Sequence, residues 1–533
     1  MKRRTFLCLL SLAALPLLVW AENVDLSVIH RIKVEAFQNS KVMDYAFYLT
    51  DVYGPRVSGS PNYRAAAEWV VRTAREMGLE NPRMEKIGPI GRGWSFSRFS
   101  AHLLEPVQAP LVGFPLAWTA GTEGPVTAEA VLAVIQNEAD FAKYKGQLKG
   151  KIVLTDPARQ LEPRTTADFH RWTDAELAER ARAPEPGQMP FAMPFPRPGG
   201  PPSPQFRQMM QARELRSKLA RFLKDEGVVA VVTPGQRGDY GTVFATSGGP
   251  RELKEPVPPP TVALATEHYN RIVRLLEKKI PVKLELDVRV QIEEKEVEGY
   301  NVLADLPGGR KKDEIVMIGA HLDSWQGGTG AADNAAGCAV MMEVMRILKT
   351  LGLKMDRTVR MALWDGEELG FLGSRAYVKQ YLADRETMAL KSDYHKFSGY
   401  FNLDNGGGKI RGVYLQGNDM MRPIFEAWLA PFRDLGVTTV TIANTGGTDH
   451  LSFDAVGLPG FQFLQDPLDY STRVHHSNMD VYDRLPRADL MQASAVIASC
   501  VYHAATRPDL LPRKPMPVPP ARRAEPAKPA PSN

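Results

Sequence analysis

Beyond Gly299, short apolar stretches typical of buried strands alternate with helical patterns, and polar residues that can bind metals follow the strands. The predicted strands are 314–320, 358–364, 399–403 and 461–464, with a helix at 334–351 between the first two. This alternation indicates an α/β fold in which helices flank an open sheet. Because ligands of such sheets bind outside the carboxyl ends of the strands, we expect the functional site there.

Histidines and carboxylates follow each of these strands in the sequence. They are His321 and Asp323 after the first strand, Glu367 and Glu368 after the second, Asp404 after the third, and His475 and His476 in the loop after the fourth. Asp333, at the start of the predicted helix, is by itself compatible with a helix cap as well as with a ligand. Two histidines with three carboxylates suit a pair of divalent metal ions such as zinc.

The spacing inside two of these pairs fits metal-assisted hydrolysis. In His321-x-Asp323, the carboxylate can reach the second ring nitrogen of His321 and fix its tautomer while the other nitrogen binds a metal. Glu367 and Glu368 are adjacent, so one can bind a metal while the other acts on a water molecule. Two neighbouring acids are more often a solvated helix start, but here they follow an apolar strand and Gly366.

Six short motifs contain most of these residues. They are Gly-Ala-His-Leu-Asp-Ser (319–324), Gly-Ala-Ala-Asp-Asn-Ala-Ala-Gly (330–337), Trp-Asp-Gly-Glu-Glu-Leu-Gly-Phe-Leu-Gly-Ser (364–374), Asn-Leu-Asp (402–404), Gly-Thr-Asp-His (447–450) and His-His-Ser (475–477). Over about residues 40–505 the sequence resembles peptidase family M28, the co-catalytic zinc exopeptidases, and within it the carboxypeptidase Q (plasma glutamate carboxypeptidase) group. The resemblance implies a mixed open sheet flanked by helices (the zinc exopeptidase-like phosphorylase/hydrolase fold), an inserted protease-associated domain, and a cis peptide bond between Asp333 and Asn334.

The same resemblance implies a ligand set for two Zn²⁺ ions per chain. His321 and Asp404 would bind one ion, Glu368 and His476 would bind the other, and Asp333 would bridge them. His476 is matched to the family's ligand because it directly precedes the serine of its motif.

Roles for five further residues follow from the resemblance. Glu367 would be the general base, and Asp323 would orient the metal-binding imidazole. His475 would have a substrate-binding or supporting role. Asp449 and His450 match a motif that is either structural or lines the substrate site.

The implied function is an exported dizinc metallo-exopeptidase that hydrolyses short peptides or dipeptides with a metal-bridging water and a Glu general base. One alternative is a glutaminyl cyclase-like enzyme with a single zinc, and another is a receptor-like binding module without catalysis. Zinc content separates the three, at about two, one or no ions per chain. Aminopeptidase, carboxypeptidase and dipeptidase preferences stay open, because a substrate carboxylate needs Arg or Lys and the nearby Arg375 and Arg473 are expected to have surface roles.

The segment 121–292 is predicted to be the inserted domain, between catalytic segments at 22–120 and 293–506. It is rich in strand patterns, at 151–155, at 227–232 and in the strict alternation from Ile280 to Ile292. Inside it, residues 184–204 hold nine prolines, which exclude a central strand or helix and indicate a surface loop or a flap over the site.

The two ends of the chain differ from its body. Lys2-Arg3-Arg4, an apolar run to Trp20 and then Ala21 indicate a signal peptide at 1–21. The route, Sec or twin-arginine, stays open, and the alternative is an uncleaved anchor, although the run is short for a membrane span. We therefore expect a secreted or periplasmic protein without stable membrane insertion. The tail 507–533 is rich in proline and basic residues and is predicted to be disordered.

Net charge and cysteine content argue against nucleic-acid binding and against a disulfide bond. The net charge of +5 is concentrated at the two ends, so the body is slightly acidic and nucleic-acid binding is not expected. After loss of Cys8 with the signal, Cys338 and Cys500 remain, and free buried thiols are favoured over a disulfide. The expected partners are short peptide substrates, and the sequence leaves open whether the chain forms a homodimer.

Overall fold

The computed structural model describes residues 22–182, 204–517 and 519. The strands of this part of the chain are β1 (Glu80–Glu105), β2 (Ala109–Pro110), β3 (Gly113–Pro115), β4 (Val126–Leu132), β5 (Ile152–Leu154), β6 (Ala230–Thr233), β7 (Thr261–Leu264), β8 (Lys283–Leu306), β9 (Lys311–His321), β10 (Arg357–Trp364), β11 (Phe397–Asn402), β12 (Ile410–Tyr414), β13 (Thr439–Thr441) and β14 (Gly460–Gln465). The predicted signal peptide and most of the proline-rich stretch, residues 184–203, lie outside the described residues.

Helices flank the strands on both sides. The α-helices of the described chain are α1 (Leu26–Gln38), α2 (Val42–Phe47), α3 (Pro61–Glu76), α4 (Phe141–Tyr144), α5 (Asp174–Ala181), α6 (Pro204–Asp225), α7 (Thr266–Glu277), α8 (Ala336–Thr350), α9 (Leu372–Tyr377), α10 (Arg422–Leu429), α11 (His450–Asp454) and α12 (Arg487–Thr506). Among these described helices we find none with the length and apolar character needed to cross a membrane.

Over the described residues the strands form one mixed sheet of fourteen, in the order β13-β12-β14-β11-β9-β10-β8-β4-β5-β6-β7-β3, with β1 paired to β8 and β2 to β1. Strands β10, β9, β11 and β14 are parallel neighbours. Strand β8 is antiparallel to β10, and β12 is antiparallel to β14. The predicted mixed open sheet flanked by helices is confirmed, and the parallel strands are those predicted to carry the site.

Alternation along the central strands creates two apolar layers. Val316 and Ile318 of β9 belong to a cluster that includes α8 and α12. Met317, between them, points to the other face and belongs to a cluster with Trp364 and Tyr400. Successive side chains of a strand point to opposite faces, so both faces of the central sheet are covered by apolar clusters. The edge formed by the carboxyl ends of the strands remains available for the site.

The helix predicted to begin at Asn334 begins two residues later. Residues Ala331–Ala335 form a separate turn in which Asp333 and Asn334 have non-helical backbone angles, and α8 follows from Ala336. The peptide bond between Asp333 and Asn334 is cis, as the resemblance implies.

A second lobe is built on the far ends of two long strands. Strands β1 and β8 pair from Glu80 opposite Asp305 to Glu105 opposite Lys283. At the far end, residues of β1 and β4–β8 form a separate apolar cluster. The cluster includes Ala101, which precedes the predicted domain boundary at 121, because β1 supplies one of the strands that the lobe needs.

The expectation of a disordered tail from Arg507 onward is wrong for residues 507–517, which pack against the folded body. Leu511 is buried, and Arg513 donates to the carbonyl oxygens of Tyr394 and Phe397. Composition alone does not reveal this packing, since it depends on a distant surface. Cys338 and Cys500 are free and buried, as predicted.

Candidate metal centre

The parallel strands bring the predicted residues to one edge of the sheet. Strand β9 ends at His321, β10 ends three residues before Glu367, and β11 ends two residues before Asp404. Strand β14 ends ten residues before His475. Parallel strands end on the same side, so all the predicted metal-capable side chains meet there.

His321, Glu367 and Asp404 form one group in which ligand atoms from each residue lie within 4.8 Å of one another. The Nε2 atom of His321 lies 3.3 Å from Asp404 Oδ1 and 3.1 Å from Asp333 Oδ1. All four side chains are buried. Sequence reasoning separated Glu367 from the ligands, whereas the structure places its carboxylate within the same group.

Asp333, His475 and His476 form the second group, again within 4.8 Å. His476 Nε2 lies 3.2 Å from Asp333 Oδ2 and 3.0 Å from Glu368 Oε2. His475 Nε2 lies 3.7 Å from Asp333 Oδ2. Asp333 therefore directs one carboxylate oxygen to each group, which is the arrangement that a bridging ligand requires.

Asp323 contacts the site in a way that the sequence did not predict. The Nδ1 atom of His321 lies 2.9 Å from the backbone oxygen of Asp323 and 3.6 Å from its carboxylate. The carboxylate instead accepts hydrogen bonds from the backbone amides of Glu367 and Glu368, at 3.1 and 3.3 Å, and from Ser58 Oγ at 3.1 Å. Asp323 thus orients both the imidazole and the turn that carries the two glutamates.

Burial and mutual charge shift the pKa values of the site. Burial disfavours the charged imidazolium, but the carboxylates of Asp404, Glu367 and Asp333 raise the pKa of His321 well above its usual value. His476 behaves likewise: against burial, Glu368 and Asp333 raise its pKa to about 10. Burial, reinforced by neighbouring carboxylates, raises the pKa of Glu367 well above its usual value. The centre thus holds carboxylates and imidazoles whose opposite charges compensate one another.

The donor atoms of the centre fit zinc. Zinc prefers imidazole nitrogen and carboxylate oxygen at four-coordinate sites. Among the described residues, neither Asp333 Oδ2 nor Glu368 Oε1, both buried, accepts a hydrogen bond of good geometry, although His476 Nε2 lies 3.2 Å from Asp333 Oδ2. A buried carboxylate oxygen without a partner is costly unless a cation or donor meets it. Both orphaned oxygens belong to residues that the resemblance implies as ligands.

A cavity of about 750 Å³ borders the centre on the side of the second lobe. Trp325 and Glu368 form its wall at the centre, Trp118 lies on its lobe side, and α6 and the segment 247–258 complete the lining. Trp325 Nε1 donates to Glu368 Oε2 at 2.6 Å. Trp325 was missed by sequence reasoning, although it directly follows the motif at 319–324.

Asp449 and His450 lie behind the site, and both are fully buried. Ser374 Oγ donates to Asp449 Oδ1 at 2.5 Å, and His450 Nε2 lies 3.3 Å from the backbone oxygen of Thr445. Burial lowers the pKa of His450 to about 4. Of the two roles left open for this motif, these contacts favour the structural one.

Of the two arginines expected to have surface roles, Arg473 is mostly buried. Its guanidinium bonds Asp168 and Asp239 of the second lobe at 2.7 and 2.6 Å. The ion pairs of Arg473 therefore tie the segment before His475 to the lobe. The other arginine, Arg375, stacks against the Phe371 ring, 5.2 Å from its centroid.

Known proteins match this chain over the part that contains the strand-end residues. The family model of peptidase family M28 matches residues 301–501. Mouse carboxypeptidase Q is 25% identical over 496 residues, which is 92% of this chain and 91% of the relative. Human carboxypeptidase Q is 25% identical over 468 residues, 87% of this chain and 85% of the relative.

Two solved structures share the fold. A peptidase M28 precursor from Shewanella amazonensis is 25% identical, with a TM-score of 0.62 over 92% of this chain and 98% of its own. A zinc aminopeptidase from Bacillus subtilis has a TM-score of 0.52 over 87% of this chain and 95% of its own, at 19% identity. With the strand-end residues in place, these matches show that the chain is a hydrolase whose residues 301–501 match the model of peptidase family M28.

Proposed function

We propose that this protein is an exported dizinc exopeptidase that hydrolyses short peptides. The observation that carries the proposal is the position of Asp333, whose two oxygens lie 3.1 Å from His321 Nε2 and 3.2 Å from His476 Nε2. A carboxylate placed between two such groups suits two metal ions better than one. The glutaminyl cyclase-like alternative with a single zinc would not need both groups.

His321 and Asp404 would hold one zinc ion, Glu368 and His476 the other, and Asp333 would contact both. Zinc ions at these positions would polarise the scissile carbonyl and acidify water. His475 lies close enough to Asp333 to support it or to contact substrate. Trp325 holds Glu368 by its indole N–H, which keeps that carboxylate directed toward His476.

Glu367 would act as the general base. Its carboxylate lies with His321 and Asp404, and its backbone amide is held by the carboxylate of Asp323. In this role Glu367 takes a proton from the attacking water and delivers it to the leaving amine. Such acid–base catalysis typically contributes about 10²–10⁴-fold to the rate.

Substrate would reach the centre through the cavity beside Trp325. Its volume of about 750 Å³ is within the range of pockets for small ligands, which agrees with a short peptide. We propose that the lobe at 121–292 is a protease-associated domain that shapes this entrance. Relatives named carboxypeptidase and aminopeptidase both match this chain, so the end of the peptide that is held needs experiment.

We further propose that residues 1–21 direct export and are removed. The basic start, the short apolar run and Ala21 are the features of a signal peptide. Glu22, which would begin the mature chain, bonds Arg507 at 3.0 Å in the folded body.

Zinc content and substrate profiling together test the proposal. We expect about two zinc ions per purified chain, and hydrolysis of dipeptides from a library in which either terminus is free or capped. His321→Ala should lose zinc and activity. His503→Ala is the matched control, because His503 is also buried but bonds Ser499 of α12, and it should keep both. One zinc or none in the wild-type chain would contradict the dizinc assignment.

A further inference from the structure

Arg56 is a fully buried arginine whose guanidinium bonds only backbone carbonyl oxygens. Its Nε donates to Leu322 O at 2.7 Å, Nη2 donates to Gly330 O at 2.8 Å, and Nη1 donates to Thr329 O at 2.8 Å and Leu49 O at 2.5 Å. Leu322 lies between His321 and Asp323, and Gly330 lies three residues before Asp333. One side chain thus joins the loop of His321 and Asp323 to the loop of Asp333.

The backbone around Arg56 strengthens this junction. The Arg56 amide donates to Ser324 Oγ at 3.0 Å, and the Ser324 amide donates to Arg56 O at 3.0 Å. Gly330 has a φ of +68°, and a Cβ there would lie 2.9 Å from Arg56 Nη2 and 2.3 Å from Ser324 Cβ. The loop before Asp333 approaches the guanidinium as closely as glycine allows.

A buried charge without a paired carboxylate is expensive. Among the described ion pairs, none involves Arg56, although Asp480, Asp323 and Asp333 lie near enough to oppose the lowering of its pKa by burial. A neutral side chain would avoid that cost, but it could not offer five N–H donors in one plane. The arrangement therefore indicates that the need for several N–H donors in one plane, rather than the filling of space, determines the residue at this position.

We propose that Arg56 is a positioning residue that fixes the loop of His321 and Asp323 relative to the loop of Asp333, and so sets the spacing of the metal ligands. The inference rests on the proposed function. It adds to that function a residue more than 260 positions away in sequence from the ligands it holds.

Arg56→Lys tests the proposal, because lysine keeps the charge but cannot reach four carbonyl oxygens at once. Substitutions behind metal ligands typically cost about 10–100-fold in metal affinity or activity. We expect the zinc Kd, measured by competition with a chelator, to rise by about that factor. The kcat of zinc-saturated protein should fall while KM stays within about twofold, since the substrate cavity is not lined by Arg56.

Arg357→Lys is the matched control. Arg357 is also fully buried and also bonds backbone carbonyls, those of Ala504, Arg507 and Pro508, and unlike Arg56 it has a carboxylate partner, Glu314, at 2.6 Å. It begins β10, at the end of the sheet opposite the metal centre. This variant should lower the Tm while its zinc Kd and kcat stay at wild-type values, which separates positioning from general stabilisation.

If Arg56→Lys does not fold, Ser324→Ala decides, because it removes only the acceptor for the Arg56 amide. A several-fold rise in zinc Kd supports the proposal. Addition of guanidinium ion to Arg56→Ala, at a concentration that does not unfold the protein, should partly restore zinc affinity.

Wild-type zinc affinity in Arg56→Lys, or in Ser324→Ala where the first variant does not fold, would overturn the inference. That result would leave the proposed function intact. Absence of zinc from the wild-type chain would instead contradict the proposed function, so the two failures can be told apart.

Discussion

Glu367 and Glu368 are adjacent in the chain but belong to different halves of the metal centre. Glu367 lies with His321 and Asp404, whereas Glu368 lies 3.0 Å from His476. The carboxylate of Asp323 holds both of their amides. In the proposed function, this turn would place the base and a ligand side by side with fixed backbone positions.

Replacing Glu367 by Gln should remove the proton acceptor without changing the size of the side chain. We expect Glu367→Gln to fold, to keep about two zinc ions and to lose at least about a hundredfold in kcat. Glu368→Gln should first lose zinc, and lose activity as a consequence. Zinc analysis and steady-state kinetics on both variants measure these effects. If Glu367→Gln is the variant that loses zinc, its place beside His321 and Asp404 is that of a ligand, and the two roles must be exchanged.

At the residue scale, the sequence predicted which side chains meet but not how each is oriented. Strand ends of a parallel sheet converge by topology, so His321, Glu367 and Asp404 could be found from the pattern. The carboxylate of Asp323, expected at the imidazole, lies 3.6 Å from His321 Nδ1 and in addition bonds two amides, which depends on the backbone of the turn at 365–368. Arg56 could not be assigned, because its partners are backbone atoms that have no sequence signature.

At the element scale, the segment Tyr470–Val474 and the two histidines after it are held by the second lobe. Asp239 bonds Arg473 at 2.6 Å and Arg164 at 2.7 Å, and the amide of Asn478 donates to Val243 O at 3.0 Å. The lobe therefore contacts the loop of His476 as well as the cavity beside Trp325. We therefore expect the lobe to support the loop of His476 in addition to shaping substrate access.

Asp239→Asn should loosen that attachment. Hydrogen bonds to charged groups contribute about 1.5–3 kcal/mol each, so we expect a lower Tm and a zinc Kd raised a few-fold. Glu138→Gln is the control, because it removes an equal charge from the exposed pair with Lys218 in the same lobe. Equal zinc affinity in Asp239→Asn and Glu138→Gln would show that the lobe does not influence the metal loop.

Replacing residues 184–203 with a short glycine linker tests whether this stretch influences access of substrate to the cavity beside Trp325. None of the proposed ligands lies in this stretch, and the helix that follows it, α6, lines the cavity. We expect the zinc content to stay unchanged while KM or the preferred peptide length changes. Loss of both zinc ions would mean that this stretch supports the centre.

The sequence predicted the elements beyond Gly299 well, because buried parallel strands and the long helix α8 have strong periodic patterns. It predicted less where tertiary contacts decide. The late start of α8 follows from the turn around Asp333, and the ordered stretch 507–517 follows from a surface near Tyr394. Strand β1 was not predicted, since its irregular pairing with β8 contains several register shifts.

For the whole molecule, export predicts a defined mature chain. The protein recovered from the periplasm or medium of its host should begin at or near Glu22, as N-terminal sequencing or intact mass would show. Glu22 is part of the folded body through its ion pair with Arg507, and cleavage before Glu22 would keep that ion pair. Recovery of the chain with Met1 from the cytosol would contradict this prediction.

Removal of metal should destabilise the whole molecule, because the centre concentrates buried acids. Asp323, Asp333, Asp404 and Glu367 are all buried at one edge of the sheet, and burial raises the pKa of neighbouring Glu368 to about 7. Without a cation, these groups can relieve their repulsion only by binding protons or by pairing with His321 and His476. A ligand bound only by the folded state stabilises by about 2.7 kcal/mol at a free concentration of 100 times Kd.

We therefore expect a chelator to lower the Tm of the wild-type protein by about 3 °C for each zinc ion removed, or about 5 °C for two, and added zinc to restore it. His321→Ala, which lacks a ligand, is the control and should show a much smaller response to the chelator. Because α8 and the strands that carry the ligands also form the main apolar cluster, loss of metal should be felt in the main unfolding transition rather than in a separate local one. An unchanged Tm for the wild-type chain, with zinc shown to be removed, would mean that the centre folds without help from the metal and that its charges are compensated by the imidazoles alone.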